Sequence, residues 1–296
     1  MTGRPVTPSG SSILERARRA AEHRAKGRRI IDLTLGEPDF APPAHVVLAA
    51  QEAAARPLGY APANGIPELR RAARHAVEPD RVLHYTDAEV AVGCGAKQVI
   101  FNAFLATLGP GDEVIIPAPY WPGYPDMVRL CGAVPVSVPC SADSGFTLAP
   151  DALEAAMTEG TRWAVLNAPG NPSGATYSHD TLTGLAEVLR RHPSAMILSD
   201  EIYAHIRYTE GEYLSIAQVA RDLRERILLV DGVSKAYAMT GWRVGWGFGP
   251  AELVRRLTAV QAQNCTQTAT VSQIAAVAAL EKGCRLIVAT LDGVPA

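Results

Sequence analysis

Short apolar runs separated by turns and helix-like segments form the main pattern of this chain from residue 89 onward. The runs that predict strands are residues 89–92, 114–116, 134–138, 163–166, 196–198 and 227–230. Segments with helical apolar spacing lie between several of these runs, at 98–108, 150–157 and 179–191. Strands that are apolar on both faces and alternate with helices indicate a mostly parallel sheet covered on both sides. We therefore predict an α/β protein with three layers, α/β/α.

The first 80 residues show a different pattern, with more helix than strand. Apolar spacing predicts helices at 13–26, 44–55 and 67–77, and Pro67 suits the first turn of the third. A short apolar run at 30–35 predicts a strand, which ends in a turn at 36–40. This part is expected to lead by loops into the alternating region.

Composition and charge narrow the class of function. The chain has 296 residues, of which 48% are hydrophobic and 20% charged, as in globular proteins with a substantial core. A net charge of −2 gives no general attraction to nucleic acid or to anionic membranes. The sequence contains no apolar stretch of membrane-spanning length and no signal-peptide pattern at its start. A cytoplasmic location is therefore the default expectation.

The cysteines predict neither a disulfide framework nor a metal site. They are odd in number and lack CxxC spacing, which favours reduced, mostly structural thiols in a cytoplasmic protein. The five cysteines are Cys94, Cys131, Cys140, Cys265 and Cys284.

The segment 231–243 carries the strongest chemical signal. The apolar run 227–230 leads into a turn of small residues that holds one lysine, Lys235, next to Ser234. A lysine after a strand is usually a solvated loop charge. A desolvated amine, in contrast, has a lowered pKa and becomes a nucleophile for an aldehyde. The hypothesis is a Schiff-base lysine that holds pyridoxal phosphate, with Arg243 binding the phosphate.

Two further turns follow predicted strands, where ligands of parallel sheets bind. Gly95, Ala96 and Lys97 open a helix directly after a strand, so backbone N–H groups and the helix dipole can hold a phosphate there. Glycine turns before helices are common, so this signal is weak alone. Trp121 follows a proline turn, and its indole either stacks on a flat cofactor ring or packs in the core.

Three polar residues follow the predicted strands at 163–166 and 196–198. Asn171 lies in a loop rich in turn residues and is either a turn residue or a donor to a ring hydroxyl. Asp200 ends a buried strand, where a carboxylate needs a partner. That partner is a salt bridge, a helix cap or the protonated nitrogen of a pyridine ring, which the carboxylate would keep electron-accepting. Tyr203 is placed to donate to the phenolic oxygen of such a ring.

The motifs together resemble the class I/II pyridoxal-phosphate-dependent aminotransferases, particularly the bacterial aspartate aminotransferase branch. The matching segments run in the family's order from about residue 13 to residue 280. They are residues 35–40, 65–70, 95–98, 111–121, 171–174, 199–203 and 234–243. The resemblance implies the major domain of a fold-type-I pyridoxal-phosphate transferase at 46–280. It also implies an N-terminal arm with part of a small domain at 1–45, and 281–296 form a divergent tail.

The resemblance also implies a role for each site residue. Lys235 would carry the cofactor and move the substrate proton, Asp200 would pair with the ring nitrogen, and Trp121 would stack on the ring. Tyr203 and Asn171 would bond the ring oxygen. The remaining cofactor contacts would hold the phosphate; they are Gly95, Ala96, Lys97, Ser234, Arg243 and, from a neighbouring chain of a homodimer, Tyr60. The substrate contacts would be Gly36, Trp121 and Asn171.

Two structural details follow from the same resemblance. The peptide bonds before Pro119 and Pro172 are expected to be cis. The chain ends at Ala296, before the segment that completes the family's small domain and carries the arginine that clamps the substrate carboxylate. We therefore expect an incomplete small domain, with cofactor binding retained and substrate affinity and turnover weakened.

The implied function is an aminotransferase of amino-acid metabolism, which moves an amino group between an L-amino acid and a 2-oxo acid. Aspartate or glutamate with 2-oxoglutarate is the first expectation for the substrates. Two alternatives stay open on the sequence. One is another fold-type-I activity, such as a lyase or oxidase, and the other is a truncated cofactor-binding protein with little or no turnover.

Overall fold

The computed structural model describes residues 12–81, 83–206 and 213–281. Its strands are β1 Val90–Gly93, β2 Glu113–Ala118, β3 Val134–Pro139, β4 Thr161–Asn167, β5 Met196–Asp200, β6 Ile227–Gly232 and β7 Gly245–Phe248. The helices α1 to α5 are Ser12–Ala25, Ala44–Ala54, Pro67–Arg81, Ala96–Thr107 and Gly123–Leu130. The helices α6 to α10 are Pro150–Ala156, His179–Arg191, Ile216–Val219, Ala251–Asn264 and Thr270–Glu281.

The seven strands form one sheet in the order β1-β7-β6-β5-β4-β2-β3. Strand β7 pairs antiparallel with both β1 and β6, and the other four pairings are parallel. The prediction of a mostly parallel sheet is therefore confirmed. The carboxyl ends of β1, β2, β4, β5 and β6 meet at the same edge, because β1 runs in the same direction as the parallel strands.

Helices cover both faces of this sheet, which confirms the three-layer prediction. One face packs against α4, α5 and α9, through residues such as Phe104 and Trp163. The other face packs against α2, α3, α6, α7, α8 and α10. Successive residues of one strand serve the two faces in turn: Val114 and Ile116 point to the first and Ile115 to the second. The strands are apolar throughout because both of their sides are desolvated.

Helix α7 shows how local sequence determines these elements. Ser178 caps its amino end, with the hydroxyl oxygen accepting from the backbone N–H of Thr181 at 3.1 Å. Leu182, Leu185 and Leu189 follow at helical spacing and are all buried. Cap and apolar stripe agree, and the helix has the bounds that the sequence predicts.

The predicted strand at 30–35 is wrong. The segment has no strand pairing, and the side chains of Ile31 and Leu33 are 81% and 88% exposed. Asp32 bonds locally instead: its Oδ1 accepts from the backbone N–H of Thr34 at 3.0 Å, and its Oδ2 pairs with Arg24 at 3.0 Å. Local bonds of this kind compete with strand pairing.

The structure adds elements that the apolar pattern did not predict. Helices α5, α9 and α10 cover the sheet, and the apolar run at 244–248 becomes the antiparallel strand β7. The divergent tail predicted at 281–296 lies outside the described residues, apart from Glu281. Within the part of the chain that the structure describes, no helix combines the length and the apolar character needed to cross a membrane.

Strand β7 touches the turn that follows β1. A side chain on Gly245 would overlap the backbone of Gly95 and Ala96, so only glycine allows this approach. The contact places the end of β1, the start of α4 and the residues before β7 in one cluster at the edge of the sheet.

Candidate functional site

The predicted site residues that follow strands come together at the carboxyl edge of the sheet. Asn167 at the end of β4 lies opposite Asp200 at the end of β5, and Asp200 lies opposite Val230 in β6. The neighbouring turns carry Lys235 after β6 and Trp121 after β2. This arrangement is the usual ligand position in a parallel α/β sheet.

Lys235 lies half-buried in this cluster. Its Nζ donates to the main-chain carbonyl oxygen of Gly36 and lies 5.8 Å from the centre of the Tyr203 ring. Burial lowers the pKa of Lys235, and the nearby Arg243 lowers it further, although Glu37 opposes this shift. The amine is thus more readily deprotonated than an ordinary lysine, as the nucleophile hypothesis requires. The contact also brings Gly36 to the site.

Arg243 lies over the turn that follows β1. Its Nη1 donates to the carbonyl oxygen of Thr240 at 2.9 Å and its Nη2 to that of Cys94 at 3.3 Å. Gly95 has a positive φ of 84°, and a Cβ at this position would overlap the guanidinium group. Glycine therefore lets the guanidinium lie directly against the turn before α4, and we call the guanidinium together with the first backbone N–H groups of α4 the cradle. Backbone N–H groups, the helix dipole and a cation favour an anion there.

Ser234, Ala96 and Lys97 complete the predicted phosphate set. Ser234 is buried between β6 and Lys235. Ala96 and Lys97 are the first two residues of α4. Partial burial lowers the pKa of Lys97, and Arg243 adds to this effect. Their assignment to a phosphate group stays a prediction.

Trp121 is held in place by two neighbours. The Lys97 ammonium lies 4.8 Å from the centre of the indole ring. The Tyr124 ring meets the indole edge to face, with centres 5.2 Å apart and planes at 88°. A side chain on Gly123 would overlap the indole, so glycine makes room for it. Trp121 is thus positioned near the sheet edge, and its stacking on a cofactor stays a prediction.

Asp200 is a buried carboxylate, only 5% exposed, with two donors. The Tyr124 hydroxyl donates to Oδ2 at 2.5 Å and the backbone N–H of Ile202 to Oδ1 at 3.3 Å. Burial raises the pKa of Asp200 to about 6, and the Tyr124 hydrogen bond offsets part of this rise. No ion pair to Asp200 is found among the described residues. A protonated ring nitrogen would supply the missing positive charge.

Tyr124 is not among the residues that the sequence predicts for the site. This tyrosine lies in α5 and is almost fully buried, which raises the pKa of its hydroxyl and keeps the donated proton on the oxygen. A signal for it exists in the sequence. A carboxylate predicted at the end of a buried strand requires a donor, and tyrosines in the turns after neighbouring strands are natural candidates.

Asn171 and Tyr203 are joined to each other. The Asn171 side-chain amide donates to the Tyr203 hydroxyl at 3.4 Å, and the backbone N–H of Asn171 donates to Oδ1 of Asn167 at 2.8 Å. Burial raises the pKa of Tyr203, with Asp200 adding to the rise, so its hydroxyl keeps a proton that it can donate. Two donors thus converge on one position, as contact with a ring oxygen requires.

Cis peptide bonds shape the loops around this pair. The cis bonds predicted before Pro119 and Pro172 are confirmed, and a third precedes Pro169. The Tyr60 side chain is 92% exposed, on the loop before α3. Its proposed contact with a phosphate group stays a prediction.

The cluster fits pyridoxal phosphate. The cradle at Gly95 suits an anionic phosphate, Lys235 offers an amine of lowered pKa, and Asp200 is a desolvated carboxyl to which no residue in the described part of the chain brings a cation. No group of three or more metal-ligating side chains occurs among residues 12–81, 83–206 and 213–281.

Comparison with known proteins gives consistent matches. The family model described as aminotransferase class I and II matches residues 28–285. The chain is 47% identical over 263 residues to an aspartate/prephenate aminotransferase of Cereibacter sphaeroides, covering 88% of this chain and 66% of that protein. It is also 47% identical over 271 residues to an aspartate aminotransferase of Rhizobium meliloti, covering 91% of this chain and 66% of that protein.

Solved structures agree with these matches. The crystal structure of the aspartate aminotransferase from Rhizobium meliloti aligns with a TM-score of 0.92 at 44% identity, covering 97% of this chain and 73% of that one. The aspartate aminotransferase from Thermus thermophilus with maleate aligns with a TM-score of 0.91 at 40% identity, covering 97% and 76%. The chain thus spans 66% of the length of the two curated relatives named above.

The raised pKa of Asp200 predicts a pH-dependent cost to stability. Between about pH 4 and pH 6 the folded state binds more protons than the unfolded state. The free energy of unfolding of the cofactor-free protein therefore falls as pH rises through this window. Asp200→Asn removes the cost, so at pH 8 this variant should be more stable than the unsubstituted protein by roughly 2–3 kcal/mol. At pH 4 the two should be nearly equal.

Urea unfolding of the cofactor-free proteins at both pH values measures this difference. Asp222→Asn serves as the control, because Arg190 lowers the pKa of that exposed carboxyl and its effect is smaller and opposite in sign. Equal stability of the Asp200→Asn variant and the unsubstituted protein at pH 8 would contradict the prediction.

Proposed function

Because this chain belongs to the class I and II aminotransferases, whose cofactor is pyridoxal 5'-phosphate, we propose that it transfers amino groups. The reaction moves the amino group between an L-amino acid and a 2-oxo acid. One observation supports this most: a lysine amine of lowered pKa lies in one cluster with an anion cradle and a buried carboxyl. Each of these three groups matches one part of the cofactor: the amine its aldehyde, the cradle its phosphate and the carboxyl its ring nitrogen.

Different residues of the site are proposed to bind different parts of the cofactor. Lys235 would hold it covalently, Asp200 would face the ring nitrogen, Trp121 would cover the ring face, and Asn171 and Tyr203 would bond the ring oxygen. The phosphate contacts are Gly95, Ala96, Lys97, Ser234 and Arg243. When bound, the cofactor draws electrons away from the substrate Cα. Asp200 supports this by favouring the positive charge on the ring nitrogen.

Lys235 moves the substrate proton. With the cofactor and the amino acid in place, its Nζ would take the proton from the substrate Cα as a general base. Partial burial and the neighbouring Arg243 keep a larger share of the amine deprotonated. The Tyr203 hydroxyl stays protonated and donates a hydrogen bond next to the reacting nitrogen.

Dicarboxylic substrates are the proposed class. The relatives carry the names aspartate and aspartate/prephenate aminotransferase, and the Thermus thermophilus structure was solved with maleate, a dicarboxylate. Gly36, Trp121 and Asn171 are the proposed substrate contacts, with the main chain of Gly36 near the α-carboxylate. The relatives' names give no support to a lyase or oxidase.

A second copy of the chain is the proposed partner. The Tyr60 side chain is almost fully exposed in the single chain, so it is free to contact a second copy. In a homodimer its hydroxyl would bond the phosphate in the neighbouring site.

A cytoplasmic location accords with the free thiols of Cys94, Cys131, Cys140 and Cys265.

Lys235→Ala tests the function. The purified protein with pyridoxal phosphate should show the visible absorption band of a lysine-bound cofactor, and L-aspartate should convert that band as the cofactor is aminated. In Lys235→Ala, which lacks the amine, this band should be absent. Transamination should fall by about 10²–10⁴-fold, because the general base is removed. Lys26→Ala, a remote exposed lysine, is the matched control.

Two results would count against the proposal. If the unsubstituted protein stays colourless with pyridoxal phosphate, it does not bind the cofactor as proposed. A band that no amino acid changes would leave cofactor binding without turnover.

A mixing experiment tests the role of Tyr60 between chains. Tyr60→Ala should weaken cofactor binding by about tenfold, because one hydrogen bond to a charged phosphate is lost. When this variant is mixed and refolded with Lys235→Ala, each mixed dimer holds one site with both native residues. Activity at limiting cofactor should rise to roughly a quarter of that of the unsubstituted protein, since random pairing makes half of the dimers mixed. No gain over the separate variants would show that Tyr60 does not act across chains.

A further inference from the structure

Two cysteines meet beside the phosphate cradle. Cys94 follows β1, Cys265 follows α9, and their sulfur atoms lie 3.9 Å apart. Both side chains are half-buried free thiols. The pair joins parts of the chain that are 171 residues apart in sequence. The proposed cofactor chemistry uses neither thiol.

The surroundings give the two thiols different roles. Burial raises the pKa of Cys94, and the nearby Cys265 adds to this rise, so Cys94 keeps its proton. The side-chain N–H of Gln98 donates to the Cys265 sulfur at 2.9 Å. Because Cys94 keeps its proton, we assign the attack to Cys265 and the resolving step to Cys94.

Cys94 is also tied directly to the cradle. Its carbonyl oxygen accepts from Nη2 of Arg243 at 3.3 Å, and its backbone N–H donates to Oε1 of Gln98 at 2.6 Å. Gly95, the next residue, forms the floor of the cradle. Two residues after Cys265, the Gln267 side chain accepts a hydrogen bond from the backbone N–H of Ala61, which is next to Tyr60. A change in the pair thus acts on residues proposed to hold phosphate.

We propose that Cys94 and Cys265 form a reversible disulfide upon oxidation, and that this bond weakens cofactor binding. A disulfide brings the sulfurs from contact distance to about 2 Å. The main chain of Cys94 takes up part of that movement, which disturbs its carbonyl contact with Arg243 and the turn at Gly95. The effect on the cofactor rests on the proposed function, whereas formation of the bond does not.

Hydrogen peroxide is a sufficient oxidant. The Cys265 thiolate attacks one peroxide oxygen, the O–O bond breaks, and a sulfenic acid and hydroxide result. The Cys94 sulfur then attacks the sulfenic sulfur, so that the S–S bond forms and the S–O bond breaks with loss of hydroxide. The protons of the two thiols convert the hydroxides to water. In sum, the thiols lose two electrons and the peroxide becomes two waters.

The test uses the reduced full-length protein loaded with pyridoxal phosphate. After treatment with equimolar peroxide, mass spectrometry of the non-reduced digest should find Cys94 linked to Cys265. Cofactor affinity, measured by equilibrium dialysis, should fall by about tenfold, as for loss of one charge-assisted hydrogen bond. Dithiothreitol should restore it.

Substitution separates this pair from the other thiols. With Cys265→Ser, peroxide should produce no such link and leave the cofactor affinity unchanged. Cys131→Ser, another half-buried thiol, is the matched control and should respond as the unsubstituted protein does.

Absence of the Cys94–Cys265 link in the folded, oxidised protein would overturn the proposal. A link that forms without changing cofactor affinity would do the same. A protein that binds no cofactor even when reduced would instead refute the proposed function, and the digest would still decide whether the disulfide forms.

Discussion

Desolvation of the sheet is the constraint on which the site depends. Helices cover both faces, so the strands carry apolar side chains, and the predicted chemistry gathers where the strands end. At that edge, Asp200 and Lys235 are partly or wholly removed from water, and their pKa values shift toward the neutral forms. The same burial that stabilises the fold therefore gives an amine and a carboxyl the shifted pKa values that the proposed chemistry needs.

These buried and closely placed charged groups lower the stability of the cofactor-free chain. A buried carboxyl without a cation is unfavourable, and Tyr124 offsets only part of the penalty. The cradle at Gly95 is also unfavourable in the cofactor-free chain, because the Arg243 cation lies beside the positive end of a helix, which repels it. A bound cofactor with a phosphate and a protonated ring would relieve both penalties. Cofactor binding and folding stability are thus expected to be linked.

Much of this could be predicted from the sequence, because apolar runs and turn residues report local structure. Six strands, helix α7 and the cis bonds before Pro119 and Pro172 are confirmed. The failure at 30–35 has a physical cause: a short apolar run does not form a strand without a partner, and Asp32 offers local bonds instead. Tyr124 and the Cys94–Cys265 contact depend on tertiary packing between distant segments, which local patterns do not show.

The central claim is that Lys235 carries pyridoxal phosphate, and covalent trapping tests it most directly. Reduction of the cofactor-loaded protein with borohydride fixes the bond between amine and cofactor. Mass spectrometry of the digest should then find the phosphopyridoxyl group on the peptide that contains Lys235. Trapping on Lys97 or another lysine instead, or no trapping at all, would contradict the account.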